Sequence, residues 1–233
     1  MQCANAANLQ ERNETAQGKA RSKNTSMRVL VYSAIFGDYD PVKDFPKQSI
    51  PCDFKLFTES KGQKTPRLDS RWYKLNPPKD YDYTIWIDGS IRVTSRFFGE
   101  YMVDQAKDRW AMFKHPWRDC LYDEAEESHD MRKYHGEPIV AQAQAYKKAG
   151  MPEKWGLWAS GVICRRSDWG DDLNQLWWAE HQKWSVQDQI SLSYVSWNYK
   201  LRFFTCDLPL MANPLLKVEA GHRVGEYEKC PQP

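Results

Sequence analysis

The sequence predicts an α/β fold: a single layered domain with a mainly parallel central sheet flanked by helices. Three observations predict it. Short apolar, β-branched runs alternate with longer segments of helical spacing. Polar residues gather directly after those runs rather than inside them. The 233 residues show no internal repeat, no Gly/Ser linker and no abrupt change of composition, so one core suffices.

The elements follow in order. Residues 1–26 are polar and rich in Asn, Gln, Ala, Lys and Ser, which reads as a disordered leader before a domain spanning 27–233. Arg28–Ile35 is the first strand, and the turn residues of Phe36–Pro41 end it. Phe54–Thr58 is a second strand, and the polar stretch 59–71 reads as a loop. Thr84–Asp88 is a third strand, turned by Gly89-Ser90. Ser95–Lys107 has helical spacing, with Phe97, Phe98, Tyr101 and Met102 on one side. Trp110–Phe113 is a short strand, Glu124–Arg132 is helix-compatible, and Pro138–Ala149 is a helix closed by Gly150. Trp158–Arg165 is a strand, Asp171–Trp184 an amphipathic helix, Gln187–Val195 another helix and Leu201–Phe204 a late strand. From Pro209 the tail is irregular.

Composition narrows the function classes. With 33 basic and 31 acidic side chains the formal charge is +2, which argues against a nucleic-acid partner. No apolar run reaches the roughly 18 residues that cross a bilayer, and no secretory apolar region opens the chain, so a cytoplasmic protein without a membrane span is expected. The six Cys include no C-x-x-C pair and read as free thiols. The 11 Trp suit a packed core or sugar rings equally. Gly-x-Ser-x-Gly, His-Glu-x-x-His, Walker A and Gly-x-Gly-x-x-Gly patterns are all absent, so hydrolase, metalloprotease, NTPase and dinucleotide readings lose support.

In a parallel sheet, ligands collect at the carboxyl ends of strands. There the sequence places Asp38, Tyr39, Asp40, Thr58, Glu59, Asp88 and Ser90. Asp88 ends Ile85-Trp86-Ile87 at the lip of a buried strand. It is either a ligand for a divalent ion bridging a diphosphate or the head of an Asx-turn with Gly89. Lys114-His115-Pro116-Trp117-Arg118 offers positive charge to phosphate, or forms a solvated loop paired with Asp123, Glu124, Glu126 and Glu127. Ser185-Val186-Gln187-Asp188-Gln189 either sets Asp188 or Gln189 against a sugar, or is a helix start capped by Ser185 with Asp188 completing the box. In the tail, His222, Gly225 and Lys229 are candidates for a metal shell or a phosphate contact.

Together these motifs resemble a known family. Val31–Asp40, Phe57-Thr58-Glu59, Ile85–Ile91, Lys114–Ala125, Gly156-Leu157 with Arg165-Arg166, Trp177-Trp178 and Ser185–Ser191 occur in an order similar to the family catalogued as domain of unknown function 616. Its plant members are described as probable hexosyltransferases of cell-wall polysaccharide synthesis. The resemblance covers about residues 28–200 and implies a GT-A (Rossmann-like) glycosyltransferase fold with a nucleotide-sugar donor, UDP-sugars favoured, and a carbohydrate or other hydroxyl acceptor.

The resemblance also implies roles for individual residues. Ala34, Phe36, Tyr39, Asp40, Thr58, Glu59, Arg71, His115 and Arg118 would hold the donor. Asp88 would hold Mn²⁺ or Mg²⁺, joined by His222 on the reading of the tail residues alone, and Asp188-Gln189 would lie beside the sugar. Two departures stand out. Ser90 replaces the second carboxylate of an Asp-x-Asp, and the family's basic helix is reduced to Arg67, Arg71 and Lys74. The missing carboxylate motivates an alternative, a non-catalytic carbohydrate- or nucleotide-binding module on a degenerate transferase fold.

Overall fold

A computed structural model describes residues 27–37, 40–219 and 228–230. The leader 1–26 therefore lies outside the described residues, as do Asp38, Tyr39, His222 and Gly225.

The chain runs β1 (Val29–Ala34), β2 (Cys52–Phe57), α1 (Pro66–Leu75), β3 (Tyr83–Ile87), β4 (Ile91–Val93), α2 (Phe98–Ala106) and β5 (Trp110–Lys114). It continues through α3 (Leu121–His129), a 3₁₀ turn at Arg132–Tyr134, α4 (Ile139–Lys148), β6 (Trp158–Arg166), α5 (Asp171–Lys183), α6 (Asp188–Asn198), β7 (Phe204–Thr205) and β8 (Leu216–Val218). The main sheet has the order β2-β1-β3-β6-β5-β7. β6 runs antiparallel to both neighbours, and the other pairs are parallel. The expected mostly parallel α/β sheet is thus present.

Alternation along the strands divides the core into two layers. Val29, Val31, Ile85, Ile87, Ala111 and Phe113 face α2, which offers Phe98, Met102 and Ala106. Leu30, Tyr32, Trp86, Trp110 and Met112 face the other way, toward Leu173 and Trp177 of α5, Leu192 and Val195 of α6, and Tyr73 of α1. Trp86, Trp110 and Trp177 are fully buried, each worth about 2–3 kcal/mol of apolar burial. A third cluster joins α3, α4 and α6 through Leu121, Ile139, Tyr146 and Ile190. The five described cysteines are free thiols.

Three local expectations need correction. Residues 59–71 are not one loop, because α1 begins at Pro66. Thr65 caps it by accepting from the Leu68 amide at 3.1 Å, Pro66 occupies the first turn and Asp69 sits near the positive helix end. Its polar face misled the reading because that face lines a cleft. The tail is not wholly irregular, since β8 pairs antiparallel with β4, a strand hidden just past the Gly89-Ser90 turn. Phe97 is 52% exposed and precedes the buried face of α2 rather than joining it.

Tyr32 links the sheet to α1. Its hydroxyl donates to the Lys74 carbonyl at 3.2 Å and accepts from Arg165 Nη1 at 3.2 Å. Arg165, buried on β6, also stacks its guanidinium 4.6 Å from the Trp110 ring centre. The C-terminal end of α1 is thereby fixed over β1.

Candidate active site

The carboxyl ends of β1 and β3 open into a cavity of about 460 Å³. Ala34, Phe36 and Asp40 line it after β1, and Asp88, Gly89 and Ser90 after β3. Arg67 and Arg71 project from α1, four residues apart and so on one helix face. His115 to Arg118 enter after β5, Lys133 from the 3₁₀ turn, and Gln187, Asp188 and Gln189 from the start of α6. Most residues expected at the site from sequence therefore share one cleft: Ala34, Phe36, Asp40, Arg71, Asp88, His115, Arg118, Asp188 and Gln189, with Ser90 beside them. Thr58 and Glu59 do not join them. They follow the edge strand β2 and are exposed, and the Glu59 carbonyl is taken by the Tyr73 hydroxyl at 2.7 Å. Tyr39 and His222 lie outside the described residues.

Asp188 is buried and faces two cations and an imidazole. Arg71 Nε lies 2.8 Å and His181 Nε2 3.1 Å from its Oδ1, while Lys74 Nζ lies 2.7 Å from its Oδ2. His181 is held by its other nitrogen, which donates to the Ser185 carbonyl at 2.9 Å. Burial alone would raise the Asp188 pKa, but Arg71, Lys74 and His181 more than offset it and hold the carboxyl well below the usual range. Asp188 is therefore a permanent anion with both oxygens engaged. That suits a group that positions cations better than one that takes protons. Ser185 does not cap α6, because Gln187 does, and the Ser185 hydroxyl donates to Gln142 instead.

Lys74 is fully buried and joins the two central carboxylates, reaching Asp88 Oδ1 at 3.1 Å as well as Asp188. Burying an ammonium costs on the order of several kcal/mol unless it is paired, which explains why it meets two carboxylates. Asp88 is only partly exposed and also accepts from Trp86 Nε1 at 2.6 Å. Its side chain makes no Asx-turn. The turn is closed by backbone, with the Ile91 amide donating to the Asp88 carbonyl at 2.9 Å. Gly89 is required there because a Cβ would collide with the Asp40 carboxylate.

The second basic motif pairs with Glu124, as its loop alternative expected, but that pair is buried rather than solvated. Glu124 is buried, and its Oε2 accepts from Arg118 Nε at 2.6 Å. Its Oε1 accepts from Ser128 at 2.9 Å and from Gln187 Nε2 at 2.8 Å. His115 Nδ1 accepts from the Arg118 amide at 3.0 Å, and burial lowers the ring's pKa, so the imidazole is neutral at neutral pH. Its Nε2 then carries the proton, facing Glu124 at 3.5 Å. Trp117 stands 70% exposed at the rim. Burial, with Arg67 and Arg71 close by, pushes the Lys133 pKa down to about 7.

Mn²⁺ or Mg²⁺, expected at Asp88, meets a poor donor set. Among the described residues no three His, Cys, Asp or Glu side chains converge on one point. Asp88 Oδ1 already serves Trp86 and Lys74, and Ser90 supplies a buried hydroxyl where a second anionic oxygen is wanted. Lys229, considered for a phosphate, pairs with Glu127 at 3.5 Å.

Sequence reasoning overlooked Lys74 as a site residue, and with it Arg67, Lys133, Glu124 and Gln187. A signal existed for α1: the Thr65-Pro66 start puts Arg67, Arg71 and Lys74 on one face. Nothing local marked Lys133, and Glu124 was marked only as one of four acidic partners for the Lys114–Arg118 loop.

Comparison with known proteins fits this picture. No curated protein sequence matches the chain. Among solved structures, the apo WbbM bifunctional glycosyltransferase is similar at a TM-score of 0.39 and 10% identity. That match covers 83% of this chain and 40% of the other, so this chain spans well under half of it. Apo mouse xyloside xylosyltransferase 1 is similar at a TM-score of 0.39 and 11% identity, over 78% of this chain and 86% of that one. Both likenesses are too distant to bear on the site. A family model described as "TOD1/MUCI70, glycosyltransferase-like domain" matches residues 73–212, more than half of the chain. The chain belongs to this glycosyltransferase-like family, the one catalogued as domain of unknown function 616.

Proposed function

We propose that this protein transfers a hexose from a nucleoside-diphosphate sugar, a UDP-sugar in the first instance, to a hydroxyl of a carbohydrate or other acceptor. The observation that carries the reading is the cleft at the carboxyl ends of β1 and β3, with arginine and lysine side chains on one wall and carboxylates on its floor. In the reaction the bond from the anomeric carbon to the β-phosphate oxygen breaks, and its electron pair leaves with the diphosphate. The acceptor oxygen bonds to that carbon, and its proton ends on the diphosphate or in solvent.

In this reading Ala34, Phe36 and Asp40 lie along the nucleotide. Arg71 and Arg118 neutralise charge developing on the leaving group. Asp188 fixes Arg71 and Lys74, and Gln189 at the mouth of α6 offers its amide to the sugar. The decisive assay incubates the full chain with a panel of UDP-, GDP- and CDP-sugars and follows release of free sugar and nucleoside diphosphate. Slow hydrolysis of one donor is expected, stimulated by the right acceptor.

A second reading, a binding module without turnover, is favoured by one observation: both oxygens of Asp188 are occupied by cations. Saturable nucleotide-sugar binding with no hydrolysis of any donor would select that module over the enzyme.

A further inference from the structure

The turn after β3 is where a divalent ion would have to sit, and two lysines already flank it. Lys74 Nζ stands 3.1 Å from Asp88 Oδ1. Lys43 Nζ donates to the Gly89 carbonyl and pairs with Glu219 at 3.4 Å. Neither ammonium can be displaced cheaply. Lys74 is fully buried, and the Lys43 side chain is 9% exposed. A divalent ion at Asp88 would have to share one carboxylate with an ammonium at close range, with Ser90 contributing no charge. Like charges cannot crowd one carboxylate in a poorly solvated pocket without mutual repulsion.

The same wall supplies what an ion would have supplied. Arg67 and Arg71 stand on one face of α1, and Lys133 approaches from the 3₁₀ turn, so two separate elements aim cations into one cavity. Guanidinium groups match phosphate oxygens bidentately, and an ammonium adds a point charge. On this wall Lys74 is held between Asp88 and Asp188, and Arg71 against Asp188, so the carboxylates fix the cations at the cavity where a diphosphate would meet them.

We propose that the cleft binds the diphosphate of its ligand through Arg67, Arg71 and Lys133 without a divalent cation, Lys74 standing where such an ion would meet Asp88. Lys74 is a positioning residue: it touches Asp88 and Asp188 and not the ligand. The identity of the ligand as a nucleotide sugar rests on the functional reading above, whereas the cation wall does not.

Isothermal titration calorimetry on the full chain separates these claims. UDP and inorganic pyrophosphate are each titrated in EDTA and, premixed with Mn²⁺, in its absence. Both are expected to bind in EDTA, with Mn²⁺ changing Kd by less than about threefold. Lys133→Met, which removes a charge at the cleft edge, should weaken both by about tenfold while its thermal melt stays cooperative. Binding that appears only with Mn²⁺ and vanishes in Asp88→Asn overturns the proposal. So does an unchanged Kd in Lys133→Met. Pyrophosphate binding in EDTA without UDP binding supports the metal-free wall and sinks the nucleotide-sugar reading. If neither ligand binds under either condition, both fall. Lys74→Met, checked for folding by its melt, sharpens the result: with its ammonium gone, Mn²⁺ should begin to strengthen UDP binding.

Discussion

Two buried carboxylates lie on neighbouring elements of this molecule, and their surroundings differ. Glu124 on α3 collects one cation, Arg118, and otherwise neutral donors from Ser128 and Gln187. Asp188 at the start of α6 collects Arg71, Lys74 and His181. Gln187, next to Asp188 in sequence, joins the two clusters. Around Glu124 the charges balance, as expected of a scaffold that holds a loop in place. Asp188 collects two cations, and one of them, Lys74, is shared with Asp88, so this cluster ties α1 to the carboxyl end of β3 at the cavity wall. A cluster with one cation holds a loop, while one that gathers two cations from another element holds that element against the cavity.

The largest effect should come from removing the anion that gathers two cations. Asp188→Asn leaves Arg71 without its carboxylate and Lys74 with Asp88 alone, which should cost about 3–5 kcal/mol in urea unfolding. A loss below about 1 kcal/mol would mean that the cluster is solvated and the comparison is empty. Glu124→Gln keeps a carbonyl for Ser128 or Gln187 and leaves a single cation, partly exposed, so a smaller loss of about 1–3 kcal/mol is expected. If the two variants cost the same, the clusters do not differ in kind.

Acid titration sharpens the contrast. The folded pKa of Asp188 lies below its unfolded value, so its contribution is present above about pH 4 and is lost as the pH falls further. Urea midpoints of the wild type should therefore drop below that pH, and Asp188→Asn should flatten the drop. Lys133 supplies a second pH test, because its folded pKa of about 7 lies below its unfolded value. The unfolded chain then holds more protons between about pH 7 and 10, so this residue makes stability rise with pH across that window. Lys133→Met should remove that rise, and a rise of equal slope in the variant would discount the burial of this lysine.

The sheet was largely legible from the chain. Thr84-Ile-Trp-Ile and Trp110-Ala-Met-Phe are apolar runs of strand length, and both became strands close to the expected limits. The helix α1 was not, because the polar stretch 59–71 covers its start, while most of its apolar stripe, Leu68, Trp72, Tyr73 and Leu75, lies beyond it. Its exposed side turned out to be the wall of a cleft. Asp88 was legible because a carboxylate ending a buried strand is locally unusual. Its partner Lys74 was read only as part of a reduced basic helix, and Asp188 lies 114 positions from Lys74.

The sequence by itself determined the layered α/β fold and the end of the sheet at which polar residues would collect. Both follow from local periodicity: alternation of two along a strand, of about 3.6 along a helix. Only the tertiary structure decided which charge meets which. Asp188 was open between a place beside a sugar and a helix-capping box, and the fold buries it against Arg71 and Lys74 of α1, with the His181 ring of α5 at 3.1 Å. Lys114 to Arg118 looked equally like a surface loop, yet Arg118 is anchored to a buried glutamate. Pairing of charges depends on distances across the fold and on the loss of water around them. Neither is written in the neighbourhood of any one residue.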